Sequence, residues 1–101
     1  MASELKLQNK FEKILDCKNV YYQPPESVRM AYPAILYNKK KPDVKYANDK
    51  KYSKMDCYEV TVIDYKPDNP VIEKILDLPY TSHDRVYVAD NLYHDVITIF
   101  Y

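Results

Sequence analysis

One hundred and one residues without a single glycine leave this chain few ways to turn. Glycine is the residue that enters positive φ freely, so tight turns here must draw on Asn, Asp and Pro. The same absence removes the glycine-rich loops that bring backbone against phosphate, and with them the P-loop and dinucleotide-binding fingerprints. Three places carry the substitute turn chemistry. Pro24-Pro25 makes a stiff corner in Gln23–Ser27, Asn69-Pro70 opens a helix, and Asp90-Asn91 reads as a two-residue hairpin turn.

Between these turns the elements follow from spacing. Ser3 is a candidate cap for a first helix in which Leu7, Phe11, Ile14 and Leu15 form one apolar stripe, with Leu5 off it. That helix should end near Asp16–Asn19. Val20–Tyr22 reads as a short strand stopped by Pro24-Pro25, which cannot continue a paired ladder. Ser27–Tyr32 is compatible with a turn or a short helical piece. Pro33–Asn38 reads as a strand with proline at its first position. Cys57–Tyr65 is the clearest strand: Tyr58, Val60 and Val62 share one face, Glu59, Thr61 and Ile63 the other. A second helix follows, capped by Asn69 with Pro70 at its first position; Ile72, Ile75 and Leu76 lie on one face, and Pro79 stops it. Arg85–Ala89 and Leu92–Tyr101 form a hairpin about Asp90-Asn91. The last strand runs to the final residue, which predicts a strand held inside the sheet.

The segment Lys39–Asp56 fits neither period. It holds seven lysines and three aspartates, and reads as a long loop or an extended hairpin arm. Structureless connections longer than about 12–15 residues in a small domain are usually functional or disordered. Tyr46 and Tyr52 inside it point to a segment that orders against a partner. The candidate contact residues are Lys39, Lys40, Lys41, Lys45, Tyr46, Lys50, Lys51, Tyr52 and Lys54. The expected fold is α+β over residues 1–101: a mostly antiparallel sheet of four or five strands, two helices on one face, in the order α-β-β-(long arm)-β-α-β-β.

Chemistry is sparse in this sequence. Fifteen basic and fifteen acidic residues cancel, which argues against non-specific nucleic-acid binding. No apolar run is long enough to span a bilayer, and the N-terminus lacks the form of a secretory signal. Cys17 and Cys57 are far apart with no CxxC spacing, and are expected as free thiols. His83 and His94 have no metal-ligand spacing. Ser82-His83-Asp84 are adjacent in sequence, whereas a catalytic relay sets its base between nucleophile and acid in space, so a polar turn entering the strand is the expectation. His94 shares a strand face with Val96 and Phe100, as a structural histidine would. No catalytic residue, metal or cofactor is expected. Twelve tyrosines suit extensive protein contact, since the ring is rigid and carries a polar tip.

Four segments in order, YYQPPESVRMAYPAILY at 21–37, DVKYANDKKY at 43–52, YEVTVIDYKPDNP at 58–70 and DRVYVADNLYHDV at 84–96, together resemble one family. This family is the small tail terminator proteins of Firmicutes phages, also called tail completion or head–tail joining proteins. The resemblance covers most of the chain beyond the first helix. It implies a structural virion protein without catalytic residues. Such proteins form a homo-oligomeric ring, typically six-fold, on the head-proximal end of the tail tube. The implied partners are the chain itself, the tail tube protein and a neck or head-closure protein. DNA passes through the lumen without specific binding, and no membrane is involved. The implied location is the tail–neck junction of the virion, after assembly in the host cytoplasm. A head-closure or connector component one layer higher, or a soluble phage-encoded binding module, are the alternatives. Pro24, Pro25 and Pro33 are the structural corner residues, and the Gln23–Ser27 corner is expected to buttress the start of the Pro33 strand or a ring contact.

Overall fold

The computed structural model describes residues 2–25, 27–40 and 55–101, with side chains from Leu5 onward. Helix α1 (Ala2–Leu15) is followed by β1 (Val20–Tyr22), β2 (Ala34–Lys40), β3 (Cys57–Asp64), helix α2 (Pro70–Leu76), β4 (Thr81–Ala89) and β5 (Leu92–Phe100). The strands form one five-stranded sheet in the order β1-β2-β3-β5-β4. The fold is therefore α+β with both helices contributing to a single core, as the element order implies. The sheet is mixed: β1 runs parallel to β2, and the other neighbours are antiparallel.

The core lies between the helices and one sheet face. Leu7 and Phe11 from α1 and Val71, Ile72 and Ile75 from α2 pack on Ile35, Tyr37, Tyr58, Val60, Val62, Ile97 and Ile99. Leu5 stays 59% exposed, off the stripe. In β3 the opposite face is also buried at Cys57, Thr61 and Ile63, as befits the central strand. Tyr37 and Tyr58 have ring centroids 5.9 Å apart, and the Tyr22 ring lies tilted with its centroid 4.8 Å from that of Tyr37. These three tyrosines are structural, whereas Tyr65, Tyr80 and Tyr87 lie exposed.

With no glycine for its turns, the chain takes positive φ at six other residues among those described: Asp16, Gln23, Asp68, Tyr80, Asp90 and Asn91. Four are Asp or Asn because their short polar side chains tolerate the left-handed region best. Asp90 and Asn91, at φ 55 and 62, form the expected hairpin turn, the two consecutive positive values that a type I′ turn requires.

The Asn69 cap is also as expected: its Oδ1 accepts from the Val71 amide at 2.8 Å, with Pro70 at the helix start. The helix ends at Leu76, ahead of Pro79.

Several boundaries differ from the sequence expectations. Helix α1 begins at Ala2, which places Ser3 inside its first turn rather than at the cap. Pro33 precedes β2 instead of opening it, with a cis Tyr32–Pro33 bond, and its carbonyl accepts from Asn19 Nδ2 at 3.2 Å. Strand β2 runs on through Lys39 and Lys40, which pair with Tyr58 and Cys57. These lysines therefore belong to the sheet and not to a loop. Lysine stems lie along a strand with their ammonium groups in water, so charge hid the strand from pattern reading. Strand β4 starts at Thr81, four residues before Arg85, so Ser82-His83-Asp84 is strand and not an entering turn. Its side chains are mostly exposed, and an edge strand bonded only to β5 needs no buried alternation. Among the described residues no helix is long and apolar enough to cross a membrane.

Candidate functional site

Two regions of the surface collect the charged and aromatic residues that the core does not use. The first is the root of the β2–β3 connection. The backbone amide of Asp56 donates to the Tyr101 carbonyl at 3.1 Å, and the Tyr101 amide returns a bond to Asp56 at 2.9 Å, so the ladder extends past the end of β3. Lys39 Nζ lies 3.6 Å from Asp56 Oδ2 across this root. Both side chains are over 40% exposed, so the pair contributes at most about 1 kcal/mol. Lys40 Nζ donates to Thr98 Oγ1 at 3.3 Å, and Thr98 Oγ1 donates onward to Asp84 Oδ2. Polar contacts thus link β2, β5 and β4 across the sheet face opposite the helices.

The remaining candidate contact residues, Lys41, Lys45, Tyr46, Lys50, Lys51, Tyr52 and Lys54, lie outside the described residues. The structure brings Lys39 and Lys40 together at the root and assigns each a partner.

Cys57 sits at the same root, 3% exposed. Burial pushes its thiol above the ordinary value of 9.0; nearby Lys40 opposes this, and Asp84 and Glu59 add to it. A thiol held protonated is a poor nucleophile and a poor metal ligand. Both cysteines are free.

The Pro-Pro corner holds the other flank. The Gln23 amide donates to the Tyr37 carbonyl at 2.9 Å, and Gln23 Oε1 accepts from the Lys39 amide at 3.1 Å. The Val28 amide closes a turn on the Pro25 carbonyl at 3.1 Å. The corner is therefore pinned to β2 at Tyr37 and Lys39. Tyr21 points away from the helices, since Val20 and Tyr22 pack towards them, and its hydroxyl accepts from the Ala31 amide at 3.1 Å. The crossover from β1 to β2 thus runs along the outer sheet face near Ala31.

The second region is a groove of about 300 Å³ between α2 and β4, lined by Asp68, Glu73, Leu76, His83, Val86 and Asp95 among others. His83 Nε2 lies 2.9 Å from Asp95 Oδ2. Sequence spacing relates His83 to Ser82, Asp84 and His94 and does not reach this contact, which strand pairing makes. Strand alternation separates those two: His83 pairs with Ile97 on the helix face, while Asp84 sits at a register shift and takes Thr98 and Ser82 on the other. Ser82 Oγ donates to Asp84 Oδ1 at 3.2 Å, so the Ser82-His83-Asp84 run is split between two faces and forms no relay. No serine, threonine or cysteine lines the groove beside His83 and Asp95. His94 is held structurally: its Nδ1 donates to the Leu92 carbonyl at 3.0 Å and its ring stacks on Tyr87 at 4.6 Å. Among the described residues no group of three or more His, Cys, Asp or Glu could hold a metal ion.

The outer edge of this region is β4 itself. Val86, Tyr87 and Val88 are 54%, 41% and 61% exposed at the sheet margin. No protein-family model, curated protein or solved structure matches the chain.

Proposed function

We propose that this chain is a ring-forming structural protein of a phage particle: a tail terminator that caps the head-proximal end of the tail tube and joins it to the neck. A closed ring of identical subunits needs heterologous contacts, so each subunit must carry two unlike surfaces. The observation that carries the reading is such a pair: the β2–β3 root with its lysines, and the exposed β4 margin with Val86, Tyr87 and Val88. Three of the four segments that resemble the terminator family fall on elements beside these surfaces, β1 to β2, β3 into α2, and the β4–β5 hairpin; the fourth, 43–52, lies outside the described residues. On this reading the partners are further copies, the tail tube protein and a neck protein; DNA passes through the lumen. The protein resides at the tail–neck junction, performs no catalysis and uses no cofactor.

Deleting Asp43–Lys51 tests the role. The variant should keep the wild-type melting transition yet fail to join tails to heads in infected cells. Normal tail joining by that deletion would refute the assignment. Electron microscopy of the neck then places the ring: density one layer above the tube end would make the chain a head-closure component instead.

A further inference from the structure

The two edges of the sheet are unlike. Edge strand β1 has three residues, and its Val20 carbonyl is already held by Gln8 Nε2 at 3.0 Å. Edge strand β4 has nine residues and is bonded only to β5. The Asp90-Asn91 turn settles which of its backbone groups face outward. Ala89 and Leu92 close that two-residue turn and exchange hydrogen bonds, so by alternation Tyr87 and Arg85 also bond towards β5, opposite His94 and Val96. The amides and carbonyls of Val86 and Val88 therefore point away from the sheet.

This outward row is bounded at both ends. A register shift between His83 and Arg85 interrupts it on one side, and the turn ends it after Ala89 on the other. The stretch Arg85–Ala89 is thus symmetric about Tyr87. An antiparallel copy related by a two-fold axis at Tyr87 sets Val86 opposite Val88 of the second copy, and the two exchange both backbone bonds on each side of the axis. The smallest slip that keeps the faces matched is two residues. It puts Val88 against the irregular Asp84 in one direction and Val86 against the turn residue Asp90 in the other.

The side chains agree with the centred alignment. Val86 faces the α2 side with Val88, both exposed, and there each meets a valine of the second copy. On the opposite face Tyr87 meets Tyr87, and Arg85 comes beside Asp90 of the second copy. The Arg85 guanidinium lies 5.7 Å from its own Tyr87 ring centroid, and neither Arg85 nor Asp90 forms an ion pair among the described residues.

We infer that the free chain pairs β4 with β4 of a second copy about this two-fold axis, making one continuous sheet. The pair uses both outward rows, so association stops at the dimer. The inference does not rest on the ring reading and adds a control to it. A margin paired in this way cannot serve a ring contact, so the dimer must open before a ring forms.

Sedimentation velocity on the purified full chain tests it. A contact this narrow predicts a monomer–dimer equilibrium with a Kd on the order of 10–100 µM, read between roughly 5 and 500 µM protein. Val88→Lys, at an exposed edge position, should weaken pairing at least about tenfold and leave the melting temperature unchanged where both chains are monomeric. Val86→Pro removes an outward amide and none of the β5 ladder, and should also weaken it at least about tenfold. Arg85→Glu should weaken it about fivefold, and an equimolar mixture with Asp90→Lys should restore wild-type association, because the mixed dimer regains both charge contacts. Crosslinking reads the register. In a Cys17→Ser background, Tyr87→Cys should give a disulfide-linked dimer on mild oxidation, since opposed residues there have Cα atoms about 4.5 Å apart. Arg85→Cys and Ala89→Cys should each link to the other and not to themselves. A wild-type chain that stays monomeric throughout, a dimer indifferent to Val88→Lys, or Arg85→Cys that links to itself as readily as to Ala89→Cys would overturn the inference.

Discussion

The Tyr37 hydroxyl donates to Gln8 Oε1 at 2.8 Å, and the amide of the same Gln8 donates to the Val20 carbonyl at 3.0 Å. One side chain of α1 thus ties together the central tyrosine cluster and edge strand β1. Tyr37 is 1% exposed, so its hydroxyl has to be satisfied inside the protein.

Gln8→Leu removes an acceptor for that hydroxyl and the donor to Val20, and should destabilise the fold by about 2 kcal/mol. Tyr37→Phe should cost about 1 kcal/mol, and the double variant less than the sum of the two. Urea unfolding of the four proteins checks the coupling. Fully additive losses would mean that the bond contributes nothing of its own.

Asn91 occupies the second central position of the β4–β5 turn at φ 62. Glycine enters that region without a Cβ penalty and is preferred there in type I′ turns. Asn91→Gly should therefore raise stability by about 0.5–1 kcal/mol in spite of the extra freedom it gives the unfolded chain. A lowered denaturation midpoint would show that Asn91 contributes through its side chain.

Cys57 has a folded pKa raised above 9.0 by burial. Below that value both folded and unfolded chains keep the proton, and the stabilisation is fully present. Above it the unfolded thiol ionises first, so stability should fall as pH rises towards the folded pKa. Cys57→Val should lose less stability than wild type between about pH 8 and about pH 10. Equal losses would assign the alkaline decline to other groups. A thiol reagent at neutral pH should titrate Cys17 at once and Cys57 only after denaturation, because the first is partly exposed and the second buried.

The Pro24-Pro25 corner leads from β1 through Gln23, whose side chain holds the Lys39 amide. Replacing both prolines with alanine should cost about 1 kcal/mol, chiefly by freeing the unfolded chain. The loss should appear in the unfolding midpoint, and an unchanged midpoint would make the corner incidental to folding.

Local chemistry made much of the fold legible. Asn69-Pro70 and Asp90-Asn91 declare a helix start and a turn because the cap bond and the positive φ depend on one or two adjacent residues. The Leu7–Phe11 stripe and the alternation in β3 declare their buried faces because a helix and a strand each repeat with a fixed period. Lys39, Lys40 and Thr81–Asp84 were not legible as strand, since edges and strand ends bury too little to impose a pattern.

What the sequence determined by itself was where the chain turns without glycine, and which residues must leave water. Which partners those residues meet was decided by the tertiary structure alone. His83 finds Asp95 rather than Asp84, and Gln8 finds Tyr37 across 29 positions, because strand pairing brings together residues that no local spacing relates. The parallel β1 and the open β4 edge are decisions of the same kind. They depend on strand order, which is fixed by the packing of a whole sheet against two helices and by no single segment.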